Sequence, residues 1–424
     1  MTDLLTEERL QAEANRAAQA PAFRAALWQH CRYLRKGAAP EQLKTRIHPG
    51  DQMLLHSLKH FHEVNRPLSQ YYNVALQQHD AAQQILRHVF PSVPEDLKVL
   101  DFACGYGRLL RFLGLSIPPE RIWAAEIQAG AVDFVVAEYG VHGLLSQTDP
   151  ASFEPGQRFD FIWVASLFSH LPETLFKAWI GKLHSLLSPR GVLCFSVHDE
   201  CLLPEGAVLP DKGIRFTPDS ENADLDTCSY GTTYVGEAFV ARAIGDSLGQ
   251  PGHAYARLPR GLANEQDLYV VPADPAADLA GLSSFRRGAW GWVDGLELGT
   301  DGRLEMHGWA ASLDDGPLDE VLIELNGRAH RCPTGEPRED VARVLHDARL
   351  FHSGWRFATT LPATGGEVFI QVSGRTARGE TALLYTGALA MPRPDAAPEP
   401  RPEPRSESPP GLLKRLKTLL SGGG

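Results

Sequence analysis

The sequence predicts an α/β protein with a parallel sheet covered by helices, preceded by a helical region and followed by an all-β sandwich. Three observations carry that expectation. Between residues 97 and 271, short runs apolar on both faces alternate with helical runs, the pattern of strands buried from two sides. Before residue 90 the apolar positions recur at helical spacing, and after about residue 285 helical periodicity gives way to short strands bounded by turns.

In order along the chain, residues 1–90 read as helices. Phe23, Leu27, Trp28 and Leu34 fall at near-helical spacing, with breaks at Pro21, Gly37, Pro40 and Pro49. Residues 75–90 form a last helix, ended by Pro91. The α/β unit is expected over 91–275, with strands at 98–102, 121–126, 141–145, 159–165 and 191–197. Helices are expected at 108–113, 131–139, 173–187 and 237–244, and two final strands at 253–258 and 266–271. The sandwich is expected over 285–391, with strands at 304–310, 320–325, 355–360, 367–372 and 382–386. Asn326-Gly327 marks a tight hairpin, because both residues accept positive φ. Residues 392–410 read as a proline-rich linker, and 411–424 as a short basic amphipathic tail.

Composition narrows the function classes. The chain has 424 residues, 43% hydrophobic and 22% charged, with a net charge of −11. The acidic balance argues against a protein built to bind nucleic acid. Six scattered cysteines without a Cys-x-x-Cys pair predict neither a disulfide scaffold nor a structural zinc site. No metal is expected, since the His56/His60 pair finds no further ligand in the sequence. The first 20 residues show no apolar leader and no run is long enough to span a bilayer, so a cytoplasmic location is expected. The tail, with Leu412, Leu413, Leu416, Leu419 and Leu420 on one helical face, offers peripheral contact to a membrane or a protein partner.

The chemistry concentrates at strand ends. In Val99-Leu-Asp-Phe-Ala-Cys-Gly-Tyr-Gly-Arg108 a strand passes into a helix through a turn whose glycines let a ligand approach the backbone. Glu126 ends the next strand, about twenty residues on, where a carboxylate can accept two bonds from a ribose diol. Ser146-Gln-Thr-Asp149 follows the third strand. The fourth runs Phe159-Asp-Phe-Ile-Trp-Val-Ala-Ser166 and continues to His170-Leu171-Pro172. The fifth ends in His198-Asp199. A dinucleotide fingerprint would want glycine at position 110, where the chain has Leu110.

This motif series resembles the class I S-adenosylmethionine-dependent methyltransferases, in particular those associated with bacterial glycan biosynthesis. Ala103 stands where the family's first motif has its first glycine, and Asp199 departs from a frequent Thr-His-Gly. The resemblance implies a Rossmann-like seven-stranded core with S-adenosylmethionine as cofactor. It implies cofactor contacts at Asp101, Ala103, Cys104, Gly105, Gly107, Glu126 and Ser146, with Asp149 a second candidate for adenine. His170 and His198, at strand ends facing the expected crevice, are the candidate base or acceptor contacts, His198 oriented by Asp199. Tyr71-Tyr72 either cover the cofactor or pack in the core. Arg108 and Arg111 either hold an anionic acceptor or face solvent, and 228–234 reads as a lid. The expected acceptor is a hydroxyl of a glycan or glycan precursor, or another small molecule. The alternative is a non-catalytic carbohydrate- or partner-binding scaffold on the same fold. Trp290, Trp292, Trp309 and Trp355 are either sugar-stacking or core residues.

Overall fold

The computed structural model describes residues 2–204, 206–219, 226–362 and 365–391, with side chains from residue 8 onward. The expected linker and tail lie outside the described residues.

Four helices come first: α1 (Thr2–Gln19), α2 (Pro21–Gln29), α3 (Gln52–Phe61) and α4 (Asn65–Val89). The α/β unit follows with β1 (Val99–Phe102), α5 (Leu110–Ser116), β2 (Ile122–Glu126), α6 (Ala129–Tyr139) and β3 (His142–Leu145). It continues through β4 (Phe159–Val164), α7 (Glu173–Ser185), β5 (Leu187–Asp199), β6 (Ile214–Thr217), β7 (Thr232–Val235), α8 (Glu237–Leu248), β8 (Ala256–Leu262) and β9 (Gln266–Pro272). The central sheet has the order β3-β2-β1-β4-β5-β9-β8, with β9 antiparallel to β5. This is the expected seven-stranded arrangement. The sequence reading did not anticipate the β6–β7 hairpin, which extends the carboxyl end of β5 by pairing His198 with Tyr234. Those strands are four residues each; β6 lies in a Pro/Gly/Asp-rich stretch from 200 to 230, and β7 overlaps the segment 228–234 that reads as a lid.

Successive strand residues feed two cores. Val99, Phe161, Trp163, Val192 and Cys194 pack toward α4, α5 and α6. Leu100, Ile162, Val164, Leu193 and Phe195 pack toward α7 and α8. Both faces are buried, so these strands read as unbroken apolar runs rather than alternating ones. At their far end Asp160 accepts from the Lys98 backbone N–H at 2.9 Å and from Ser188 Oγ at 2.6 Å, which ties β1 to β4 and β5. That acid of the fourth motif is structural.

The third unit contains β10 (Trp290–Leu298), β11 (Arg303–Ser312), β12 (Gly316–Pro317), β13 (Glu320–Leu325), β14 (Arg328–Glu336), α9 (Glu339–Val344), β15 (Gly354–Thr360), β16 (Glu367–Arg375) and β17 (Thr381–Ala390). Asn326 and Gly327, at φ +49° and +80°, join β13 to β14 as the sequence predicts. The expected sandwich takes a more closed form: one antiparallel path, β10-β11-β15-β14-β13-β16-β17, with β14 shared between its halves. Their inner faces meet in a single core containing Val293, Met306 and Trp355 from one half and Ile323, Ile370 and Val372 from the other. Trp290, Trp309 and Trp355 are at most 7% exposed, so these three are core residues and Trp292 is the partly exposed one.

Helix α4 joins the units. Asn65, Ser69 and Asn73, spaced four apart, line one helical face against β17. Asn65 donates to the Ala388 carbonyl at 3.0 Å, Ser69 Oγ accepts from Thr386 N–H at 2.8 Å, and Asn73 accepts from Leu383 N–H at 3.2 Å. The helix thereby satisfies backbone groups that an edge strand otherwise exposes. Its opposite side packs on the central sheet through Ile85 and Leu86.

Candidate functional site

A cleft of about 210 Å³ opens at the carboxyl ends of the parallel strands, where open α/β sheets place their ligands. The turn after β1 forms its floor. Ala103 (φ +57°) and Gly105 (φ +54°) are both left-handed, and a Cβ built on Gly105 meets no atom within 4 Å. The Gly105 backbone therefore faces open space. Gly107 differs: it is absent from the lining, and its Cβ would lie 2.5 Å from the Tyr139 ring. Its glycine serves the turn and the packing of α6.

Ala103 tolerates a conformation that costs a residue with Cβ roughly 1–2 kcal/mol. Glycine would relieve this, less about 0.4–1 kcal/mol for its greater freedom in the unfolded chain. Ala103→Gly is therefore expected to raise stability by about 0.5–1 kcal/mol, read as a higher denaturant midpoint at unchanged slope.

Five of the other expected cofactor residues, Asp101, Cys104, Gly105, Glu126 and Ser146, join Ala103 in lining this cleft. Glu126 is fixed by two backbone donors, Gly105 N–H to Oε2 at 2.9 Å and Ile127 N–H to Oε1 at 2.7 Å. The Gln128 backbone also bonds this carboxylate, whose four lone-pair sites still leave room for a diol donor. Burial nonetheless raises the Glu126 pKa against those bonds. Asp101 is 3% exposed, and its Oδ2 has no hydrogen-bond partner among the described residues. Burial, with Glu126 nearby, lifts its pKa to about 8. A buried carboxyl with an idle oxygen is costly unless a ligand donor completes it.

The rest of the wall follows from the same strand ends. Ser146 is buried against β2 through its N–H to the Glu126 carbonyl at 2.9 Å. Asp149 instead caps a short turn, accepting from Ala151 N–H at 3.0 Å. Ile127, Leu167, Leu171, Leu175 and Trp179 give an apolar side, and Ser229 and Tyr230 close it from the segment before β7.

The histidines sit one layer back, and neither lines the cleft. His170 stacks on Tyr230 at 4.6 Å and donates from Nδ1 to the Gly231 carbonyl at 2.6 Å. Its position supports the Tyr230 wall. His198 is 1% exposed, and burial, with His170 nearby, lowers its pKa to about 3. A base that weak takes protons poorly near neutral pH. The expected His198–Asp199 pair does not form: Asp199 accepts from Arg257 at 2.8 Å, while His198 Nε2 meets the Gln266 amide at 3.2 Å. Gln266 also accepts from Ser196 Oγ at 2.6 Å and donates to Ser166 Oγ at 3.1 Å. Ser196 Oγ in turn accepts from Ser166 N–H, which holds the left-handed turn after β4 at the cleft edge.

Tyr71 and Tyr72 are core residues. Tyr71 donates to Asp51 Oδ2 at 2.6 Å and receives Arg111 Nη2 at 3.1 Å; Tyr72 donates to the Thr45 carbonyl. Arg111, 1% exposed, is part of this interior network, so of the two arginines only Arg108 reaches the cleft. The sequence reading missed Asp51, Gln52, Met53 and Gln78, which the N-terminal helices bring to the cleft. Only Gln78 left a trace, as a polar residue on the otherwise buried face of α4.

Residues 74–223 match a family model described as a methyltransferase domain. The α/β unit has that fold. No curated protein matches the chain in sequence. Similar solved structures include CalS10, an amino pentose methyltransferase from Micromonospora echinaspora, at 15% identity and TM-score 0.34, covering 46% of this chain and 92% of that one. DesVI from Streptomyces venezuelae is 15% identical at TM-score 0.35, covering 48% and 93%. The sugar N-methyltransferase KedS8 from a Streptoalloteichus species is 16% identical at TM-score 0.33, covering 46% and 86%.

The cleft suits the cofactor that the motif series implies. Asp101 offers an idle oxygen to an ammonium group, Glu126 lone pairs to a ribose diol, and Ser146 with the apolar wall a place for a base. The Gly105 backbone leaves room for the chain between them.

Proposed function

We propose that the protein is an S-adenosylmethionine-dependent methyltransferase whose acceptor is a hydroxyl of a glycan or glycan precursor. The observation that carries the cofactor assignment is the buried Asp101 carboxyl, with an oxygen that has no partner among the described residues, on the wall of the same cleft as the open Gly105 backbone. When bound, the cofactor supplies an electrophilic methyl group whose carrier departs as a neutral thioether. The acceptor hydroxyl forms its new bond to that methyl as the sulfonium bond breaks, and its proton leaves to solvent; the chain's own part is placement. Asp101 and Glu126 anchor the two ends of the cofactor, and the wall from Leu167 to Trp179 and Tyr230 limits water. Fixing donor and acceptor in line converts an encounter into an intramolecular step. His170 keeps Tyr230 in that wall. The acceptor class rests on the motif resemblance alone.

The test is incubation of the full chain with S-adenosylmethionine labelled at its methyl group and a panel of glycans and nucleotide sugars. Label in a base-stable ether on a sugar is expected. Cofactor binding without transfer to any acceptor would favour the scaffold reading instead.

A further inference from the structure

The cleft extends past the cofactor-binding turn toward the N-terminal helices, where Asp51, Gln52, Met53, Gln78 and Arg108 line it. Gln78 and Arg108 bring polar groups to this end without a side-chain hydrogen bond among the described residues. Gln78 is 4% exposed, and its amide makes no hydrogen bond among the described residues. Arg108 has neither a side-chain hydrogen bond nor an ion pair among them. Both therefore offer unused polar groups to whatever enters the cleft, and Arg108 offers a positive charge with them.

The neighbouring carboxylates do not take up these groups. Asp51 has both oxygens committed, Oδ2 to the Tyr71 hydroxyl at 2.6 Å and Oδ1 to the Met53 N–H at 3.1 Å. Glu265, from the turn between β8 and β9, feels the charge of Arg108 but forms no ion pair with it. Burial raises the Glu265 pKa, against the pull of Arg108 and Arg260. Arg108 is meanwhile held in place. Its guanidinium lies 5.6 Å from the centre of the Tyr71 ring, and Tyr71 is clamped between Asp51 and Arg111. A guanidinium held by an aromatic ring in this way still has N–H groups to offer a ligand.

We propose that this end of the cleft selects an anionic acceptor, a sugar bearing a carboxylate or phosphate, with Arg108 on the anion and Gln78 on an adjacent oxygen. The proposal rests on the methyl-transfer reading and specifies its substrate. A guanidinium donates only, and its fork matches the paired oxygens of a carboxylate or phosphate. The amide can donate to a second oxygen or accept from a hydroxyl. The cofactor carries a carboxylate of its own, so the experiment separates the two sources.

The experiment is calorimetric titration of the full chain, first with S-adenosylhomocysteine, then of the loaded protein with glucuronate, glucose 6-phosphate and glucose. The loaded wild type is expected to bind at least one acidic sugar about tenfold more tightly than glucose. Arg108→Gln should erase that preference while changing the affinity for S-adenosylhomocysteine by less than about threefold. Gln78→Leu should weaken the acidic sugar by about threefold to tenfold and leave S-adenosylhomocysteine unaffected. Arg108→Lys, which keeps the charge and the stem, serves if the glutamine variant does not fold; it should lose part of the preference. A loss of about tenfold or more in S-adenosylhomocysteine affinity on Arg108→Gln would assign the guanidinium to the cofactor's carboxylate and overturn the proposal. Equal or undetectable binding of acidic and neutral sugars by the wild type would also overturn it. Failure of the wild type to bind S-adenosylhomocysteine is read in the first titration. It is the failure of the methyl-transfer reading itself, and takes this proposal with it.

Discussion

Gly105→Asp is expected to lower the affinity for S-adenosylmethionine and S-adenosylhomocysteine by about 100-fold or more while leaving the chain folded. The backbone at Gly105 has φ +54°, so any side chain adds roughly 1–2 kcal/mol of strain. The larger effect comes from where that side chain goes. Its Cβ meets no protein atom within 4 Å and projects into the cleft. A carboxylate there would stand beside Glu126, which already binds the Gly105 N–H, and near the buried Asp101. Gly107→Ala is the matched control. Its Cβ would press on Tyr139 at 2.5 Å rather than enter the cleft, so it should cost stability and spare affinity. Thermal denaturation and calorimetric titration of the two variants separate the outcomes. Equal affinity loss in both would mean that the turn acts only through its shape.

Asp101→Asn carries the second large effect, and its signature is a changed pH dependence. The folded-state pKa of Asp101 is raised to about 8 by burial and by Glu126, against about 3.9 in an unfolded chain. The folded protein therefore holds this proton more tightly than the unfolded one. Stability from this group is fully present below about pH 4 and is lost as pH rises toward 8. Asparagine removes the titration, so the ligand-free variant should gain stability relative to wild type between about pH 6 and 8. Binding runs the other way. An ammonium group facing Asp101 favours the carboxylate, so wild-type binding should release a proton and strengthen as pH rises from about 6 to 8. The asparagine variant should bind about tenfold to 100-fold more weakly at pH 8, with a flat profile. Titration in buffers of different ionisation enthalpy reads the released proton directly. A pH-independent wild-type affinity would remove Asp101 from direct contact with the cofactor.

The fold was legible in the sequence wherever local pattern determines structure. Runs such as Phe159 to Val164, apolar on both faces, identified the central strands, because a parallel sheet buries both sides of each strand. Asn326-Gly327 set a hairpin, because positive φ is a local property. The side of the cleft lined by Asp101, Gly105, Glu126 and Ser146 was also legible, because one strand–turn–helix and the ends of β2 and β3 build it. Gly107 shows the limit of that reading: a glycine in the right motif position lies outside the cleft lining and is closed in by Tyr139.

What escaped depends on contacts between distant segments. Strands β6 and β7 are short and gain their order from pairing with the end of β5. That same pairing draws His198 inward beside Gln266 and away from the cleft. Asp199 faced a competition that the sequence could not display, and Arg257 won it from 58 residues away. Asp51 and Gln78 reach the cleft only because α3 and α4 pack beside the first turn. The association of α4 with β17 was written as Asn65, Ser69 and Asn73, a polar stripe that reads as solvent-facing until a strand edge is placed against it.

The most direct test of the account is calorimetric titration of the purified full chain with S-adenosylmethionine and S-adenosylhomocysteine, with NAD as control. The account predicts micromolar, one-to-one binding of the first two and no heat with NAD. A folded protein that binds neither, or that binds NAD in their place, would contradict it.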